Sequence, residues 1–238
     1  MTDDPHILGA HLDRFDFKGK DGGVYVLLST GRLSFAVRVE HVSFRTPFSK
    51  LTVRGSLMRH AYWTVKTDRG QLLAAHLDAR HPAFNGSTAT RKAFVDDVRF
   101  TFDGKALTVA TPAWSAKAKV TRGGPHWGLL RLRVEVRALL RDAEFGAVAP
   151  HGLLGQTFDG DRRPLNGKRD RLETLDDGTP TRARKVPGGV VTTKADGEGA
   201  IEGTAEDYRI NTPFATAFRF SRFGASAAPP RNISALRG

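Results

Sequence analysis

Alternation of apolar and polar residues with a period of two is the feature of this 238-residue chain that most restricts its fold. Residues 33–40 place Leu, Phe and Val on one side, and residues 130–137 alternate Leu and Val with Arg and Glu. Such alternation is typical of β-strands, whose successive side chains point to opposite faces. Residues 98–102 form another such segment, and the Asp103-Gly104 pair that follows predicts a hairpin turn.

Helical periodicity is scarce, and the remaining ordered segments also favour strands. Residues 24–28 (VYVLL) predict a short buried strand, and residues 51–65 predict one long strand or a bulged pair, with Gly55 as the candidate bulge. Residues 207–223, rich in Phe, predict a late strand that closes the core. Many short strands separated by turns predict an all-β fold, an antiparallel β-sandwich with little helix.

We expect a single domain over residues 1–238, which is long enough to bury a sizeable core. Residues 162–203 are rich in Gly, Pro, Thr and charged residues and poor in large apolar ones, so we expect an exposed, partly mobile insertion there. Residues 225–238, which include Pro229 and Pro230, predict a loose C-terminal tail.

The chain has no cysteine, which excludes disulfides, thiolate zinc sites and thiol nucleophiles. Its first residues contain no apolar run after a basic start, so they do not predict a signal peptide. No stretch approaches the roughly 18 consecutive apolar residues of a membrane-spanning helix. From these features alone we expect either a cytoplasmic protein or a piece cut from a longer precursor.

The charge balance indicates the kind of partner. Lys and Arg number 37 against 25 acidic residues, a net charge of +12, which favours polyanions such as acidic glycans or nucleic acid. Arg131, Arg133 and Arg137, with Trp127 nearby, are the candidate polyanion-binding residues. The alternative interpretation is the solvated face of an edge strand, whose charge prevents sheets from associating.

Catalytic motifs are absent from the sequence. It contains no Gly-x-Ser-x-Gly elbow, and nothing selects a pair of carboxylates for glycoside cleavage. We therefore predict a non-enzymatic protein and keep a hydrolase as a lesser alternative.

Three separated segments carry a family resemblance. The first is Asp-Pro-His at residues 4–6, followed by Phe-Asp-Phe-Lys-Gly at 15–19, and the second is PHGLLGQTFDGD at 150–161. Together they resemble the von Willebrand factor type D domain. The cysteine-free sequence of the second segment, Gly-Leu-Leu-Gly-Gln, is similar to the C-terminal region of inter-alpha-trypsin inhibitor heavy chains. Residues 207–223 resemble the closing strand of plant root-cap and late-embryogenesis-like proteins.

This resemblance implies a secreted module of an extracellular or cell-wall matrix, with a role in adhesion or structure. Its partner would be a protein or an acidic glycan, and no specific nucleic acid is implied. The alternative function is that of a basic protein that binds polyanions. The residues that carry the structural motif are Asp4, Pro5, His6, Phe15, Asp16, Phe17, Gly152, Gly155 and Gln156.

The resemblance also implies calcium at the Asp159-Gly160-Asp161 turn, with Asn166 and Asp170 as further ligands. Closely spaced carboxylates suit Ca²⁺, which takes six to eight oxygen ligands from flexible loops. The basic residues between 162 and 169 oppose a cation, and an ordinary solvated turn is the alternative. We predict no other cofactor.

Overall fold

The computed structural model describes residues 6–10, 14–45, 52–84, 86–122, 129–140, 149–158, 184–186, 189–191, 201–224 and 231–232. Within these residues the helical segments are short 3₁₀ turns, at Gly155–Thr157 and Ala205–Tyr208. The strands, in chain order, are β1 (His6–Leu8), β2 (Arg14–Asp16), β3 (Val24–Ser29), β4 (Leu33–Arg45), β5 (Thr52–Lys66), β6 (Leu72–Asp78), β7 (Arg91–Val95), β8 (Val98–Phe102), β9 (Ala106–Ala110), β10 (Trp114–Arg122), β11 (Leu130–Ala138), β12 (Arg184–Val186), β13 (Gly189–Val191), β14 (Arg209–Ile210) and β15 (Arg231–Asn232).

A six-stranded sheet has the order β14-β3-β4-β5-β6-β15. Its neighbours are antiparallel, except that β15 runs parallel to β6. The long pair of β4 and β5 forms its centre and keeps one register from Val39 to Arg45 and another from Leu33 to Arg38. The bulge between these registers lies at Arg59, whereas the sequence placed it at Gly55, which pairs regularly with Val42.

A five-stranded sheet has the order β11-β10-β9-β8-β7, so each strand pairs with the next one along the chain. All of these pairs are antiparallel. The Asp103-Gly104 turn joins β8 to β9 as the sequence predicts. Oδ1 of Asp103 accepts hydrogen bonds from the N–H groups of Lys105 at 3.0 Å and Ala106 at 2.6 Å. Gly104 has a φ of +87°, which a residue without a side chain adopts readily.

The two sheets pack face to face over one continuous core. Phe35 stacks on Trp63 with ring centroids 5.0 Å apart, and Nε1–H of Trp63 donates to the carbonyl of Ala116 in the facing sheet at 3.1 Å. Phe100 and Phe102 enter this core from β8 and are fully buried. The structure confirms the prediction of an all-β antiparallel sandwich with little helix.

An ion pair closes one end of the sandwich. Arg32, in the β3–β4 turn, donates through Nη2 to both carboxylate oxygens of Asp97 at 2.7 Å. The backbone N–H of Asp68 donates to Asp97 as well, at 2.9 Å. Asp97 lies in the β7–β8 turn, so this carboxylate joins the turns of one sheet to a turn of the other.

The prediction of one strand over residues 207–223 is wrong. β14 has two residues, and turns follow it. Pro213 lacks a backbone N–H, and Phe214 adopts a φ of +68°, so the chain cannot continue as a regular strand there. This segment instead lies across the outer face of the six-stranded sheet, where the hydroxyl of Thr64 donates to the carbonyl of Phe214 at 3.0 Å.

This outer face is apolar where the C-terminal segment packs on it. We call it the covered face. Its residues are Val24, Val26, Ala36 and Tyr62, and the residues of the C-terminal segment that pack on it are Ile210, Phe214, Ala215 and Phe218.

Parts of the predicted insertion and tail lie inside the described ranges. The short strands β12 and β13 pair with each other, and β15 pairs with β6. Ile201, near the end of the predicted insertion, is buried in the core. No helix in the ranges given above is long and apolar enough to cross a membrane.

Candidate functional site

The segment that carries the Gly-Leu-Leu-Gly-Gln motif hydrogen-bonds to β3. The backbones of His151 and Ser29 exchange hydrogen bonds of 2.9 and 2.6 Å. Leu153 donates to the carbonyl of Val26 at 3.0 Å, and Leu154 donates to that of Leu27 at 2.7 Å. The motif therefore serves as an irregular extension of the six-stranded sheet.

The glycines of the motif allow this close approach. Gly152 has a φ of +110°, and a Cβ atom there would lie 2.6 Å from the carbonyl oxygen of Leu27. A Cβ atom on Gly155 would lie 3.3 Å from a methyl group of Leu28. Positive φ and backbone proximity, the two physical reasons for glycine in this pattern, coincide at Gly152.

The N-terminal segment, residues 6–17, also contacts the segment that carries the Gly-Leu-Leu-Gly-Gln motif. β1 and β2 pair with each other, with His6 opposite Asp16 and Phe15 also in β2. The N–H of Ala10, just after β1, donates to Oγ1 of Thr157 at 2.8 Å. Phe17 packs edge-on against Tyr25 with ring centroids 4.9 Å apart. Asp4 and Pro5 lie outside the described residues.

His151 joins the motif to the third segment. Its Nδ1 accepts a hydrogen bond from the N–H of Gly152 at 2.9 Å, so Nε2 carries the proton and donates to Glu202 at 3.1 Å. The imidazole is almost fully buried and stacks on Phe220 with centroids 4.5 Å apart. A neutral imidazole is thus held in one tautomer between a carboxylate and an aromatic ring.

Gln156 forms the second connection. Its side-chain oxygen accepts from the N–H of Glu202 at 2.8 Å and from the hydroxyl of Tyr208 at 3.1 Å, and its Nε2 donates to Leu153 at 3.2 Å. Burial raises the pKa of the Tyr208 hydroxyl, whose single proton is shared between Gln156 and the carbonyl oxygen of Glu202, 2.8 Å away. These polar groups bond one another, which fits a structural role for the motif.

The predicted calcium ligands Asp159, Asp161, Asn166 and Asp170 lie outside the described residues, so the calcium site stays a prediction. Across the part of the chain that the structure describes, no group of three or more His, Asp or Glu side chains is arranged to hold a metal ion.

The outer face of the five-stranded sheet is strongly basic. The pleat of each strand places every second side chain on this face, and the cross-strand register identifies which residues share it. We call it the basic face. Its cationic residues are Lys92, Arg99, Lys117, Lys119, Arg131, Arg133 and Arg137.

Hydroxyl and small side chains separate these cations. Ser115 and Thr121 lie on β10, Thr108 on β9 and Thr101 on β8. Among the described strand residues of this face, the one carboxylate is Glu135, and it forms an ion pair with Arg137. The basic face therefore presents a large uncompensated positive charge.

The sequence identified part of this face. Arg131, Arg133 and Arg137 lie together on β11, as their alternation predicted, while Trp127 is outside the described residues. Lys117 and Lys119 were not among the predicted residues, although residues 114–120 alternate apolar and polar side chains in the same way. Lys92 and Arg99 were missed because only the sheet order reveals that β7 and β8 share this face.

A stack of rings continues the outer face of the six-stranded sheet beyond the covered face. Tyr62 and His76 stack with centroids 4.9 Å apart, and Nδ1 of His60 lies 3.2 Å from Nε2 of His76. Burial lowers the pKa of both imidazoles, while the carboxylates of Asp78 and Glu40 oppose the shift at His60.

The fold and its surfaces define an all-β sandwich that has one covered outer face and one basic outer face. Comparison with family models, with curated proteins and with solved structures found no match.

Proposed function

We propose that this protein is a non-enzymatic interaction module that binds an anionic polymer through the basic face. The observation that carries the proposal is the gathering of Lys and Arg side chains from four of the five strands of one sheet (β7, β8, β10 and β11) onto a single surface. A net charge of +12 makes long-range attraction of polyanions favourable, and this surface supplies a place for them to bind.

The shape of the face favours a polymer over a small anion. Neighbouring strands lie about 4.8 Å apart, and side chains on one face of a strand recur about every 6.8 Å. The cations therefore lie in rows along β10 and β11, with Lys92 and Arg99 on strands further across the same open sheet surface. A polymer with repeating charges contacts several of them at once, and such multivalent binding gains affinity without any single strong contact.

We further propose that the module belongs to the von Willebrand type D-like class and acts in an extracellular or cell-wall matrix. The meeting of the Ala10, Gly152 and Tyr208 regions supports this assignment, because the resemblance rests on segments far apart in the chain. The buried network around His151 and Gln156 supports a structural rather than catalytic role for the motif. An acidic glycan of the matrix fits both the class and the basic face.

The test is chromatography of the whole chain on an immobilised sulfated polysaccharide with a salt gradient. A face variant carries Arg99→Gln, Lys117→Gln and Arg131→Gln. We expect it to elute at clearly lower salt than the unchanged protein, because each lost contact reduces the number of counterions released on binding.

The matched control carries Lys18→Gln, Lys20→Gln and Arg69→Gln, which removes the same charge from exposed positions outside the basic face. We expect its elution to stay close to that of the unchanged protein. Equal shifts for the two variants would mean that net charge alone governs binding, and the proposal would then be wrong.

A further inference from the structure

Two cations oppose each other directly within the basic face. Lys119 on β10 is the register partner of Arg133 on β11, and both side chains are exposed. Directly opposite side chains in an antiparallel pair have Cβ atoms about 5 Å apart, and like charges at such positions destabilise the sheet. Protection of an edge strand accounts for Arg133 but not for Lys119, because β10 is an inner strand.

The neighbouring register pairs do not relieve this repulsion. One pair along the strands, Arg131 lies opposite Thr121, which adds a further cation. In the other direction Lys117 lies opposite Glu135, and Arg137 already forms an ion pair with that carboxylate. No carboxylate of the described residues lies within salt-bridge distance of Lys119 or Arg133. Within the described part of the chain, this pair of cations is therefore not compensated by a carboxylate of its own.

The chemistry around the pair distinguishes between polyanions. Single-stranded nucleic acids bind sheet surfaces by stacking bases on exposed aromatic rings. Here the aromatic residues of β8 and β10, which are Phe100, Phe102 and Trp114, point into the core and are buried. The exposed ring of Phe94 lies on the basic face opposite Arg99, but on β7, at the opposite edge of the sheet from the Lys119–Arg133 pair.

A sheet face five strands wide also does not fit into the major groove of a duplex, which admits an α-helix or a two-stranded ribbon. In place of rings, the hydroxyls of Thr121 and Ser115 lie on the same strand face as Lys119. Hydroxyl groups beside cations suit a sugar chain that carries acidic groups, because they hydrogen-bond its hydroxyls while the cations bind its charges.

We infer that Lys119 and Arg133 together bind one sulfate or carboxylate group of an acidic polysaccharide that lies across β10 and β11, with Arg131 beside it. This inference rests on the proposed function of the basic face. If the pair binds an anionic group, a substitution at the pair has opposite effects on stability and on binding, which a surface that only contacts solvent would not show. A change that relieves the repulsion makes the free protein more stable and the complex weaker.

The test uses the full chain with Lys119→Glu and, separately, Arg133→Gln. Heparin serves as the sulfated probe, a polyuronate as the carboxylated probe, and a single-stranded DNA of matched charge as the competitor. We expect Lys119→Glu to raise Tm by roughly 1–3 °C, because Glu forms a cross-strand pair with Arg133. We expect Kd for heparin or the polyuronate to rise about tenfold or more in both variants.

Lys117→Gln is the matched control, since Lys117 lies on the same strand face opposite an acidic residue. It should change Kd less than either variant does. If Lys119→Glu and Arg133→Gln bind as the unchanged protein while the three-site face variant loses binding, the assignment of this pair is wrong and the function of the face stands. If the face variant also binds normally, both proposals fail.

The competitor decides the class of polymer. Displacement of the bound polysaccharide by single-stranded DNA at an equal or lower concentration of charge would overturn the assignment to a polysaccharide. A preference for heparin over the polyuronate, or the reverse, identifies which acidic group the pair binds.

Discussion

The two outer faces of the sandwich are completed in opposite ways. Segments from far along the chain finish the six-stranded sheet, since residues 150–158 bond to β3 and residues 209–218 pack on the covered face. The five-stranded sheet consists of consecutive strands, and its outer face carries exposed cations. The first sheet therefore depends on distant contacts for its stability, whereas the second keeps a surface on which polar substitutions cost little.

The largest effect is expected where a distant segment approaches β3 most closely. Gly152→Ala places a methyl group 2.6 Å from the carbonyl oxygen of Leu27 at a φ of +110°. We expect the free energy of unfolding to fall by about 3 kcal/mol or more, because strain and steric overlap add. Urea denaturation followed by tryptophan fluorescence measures the loss.

Gly31→Ala is the control for this substitution, since a Cβ atom there meets no other atom within 4 Å. We expect it to change the free energy of unfolding by about 0.5 kcal/mol or less. Similar losses at the two glycines would show that the distant segment does not stabilise β3.

A pair of truncations compares the two outer faces directly. Ile210, which packs on the covered face, is 3% exposed, and Ile210→Ala should cost about 2–4 kcal/mol of stability. Thr108 lies on the basic face, and Thr108→Ala should cost about 0.5 kcal/mol or less. Equilibrium denaturation of both variants provides the measurement, and equal costs would contradict the contrast between the faces.

The smallest effect concerns pH. Burial lowers the pKa of His60 below its ordinary value near 6.5, so the unfolded chain takes up a proton more readily than the folded protein does. The free energy of unfolding should therefore decrease as the pH falls from about 6.5 towards the lowered pKa of His60.

We expect His60→Gln to reduce this pH dependence, measured as Tm between about pH 7 and 5, and His76, whose pKa is also lowered by burial, to account for the part that remains. Arg133→Gln on the basic face should leave the slope as it is. If His60→Gln leaves the slope unchanged, the acid sensitivity arises elsewhere in the molecule.

The sequence predicts the elements whose signals are local. The alternation in residues 33–40 and 130–137 and the Asp103-Gly104 turn correspond to observed strands and an observed turn. The predictions fail for features that depend on how two strands pair with each other. The bulge lies at Arg59 because of the register between β4 and β5, which the glycine at position 55 does not reveal.

The same distinction holds for the candidate sites. Strand periodicity places Arg131 and Arg133 on one face, but the opposition of Arg133 and Lys119 follows from a register that the sequence alone leaves open. The aromatic residues of 207–223 suggested a strand. The left-handed backbone at Phe214 instead turns the segment across the sheet, and the packing of its ring against Tyr62 is a tertiary contact.

The late position of the covering segment in the chain has a consequence for biosynthesis. Strands β7 to β11 can pair as local hairpins while later residues are still being synthesised. Val24, Val26 and Tyr62, by contrast, stay exposed to solvent until residues 209–218 have been synthesised and pack on them. A nascent or C-terminally shortened chain thus exposes the apolar residues of the covered face on one side and the cations of the basic face on the other. Chaperone binding and aggregation should concentrate on the first of these sides.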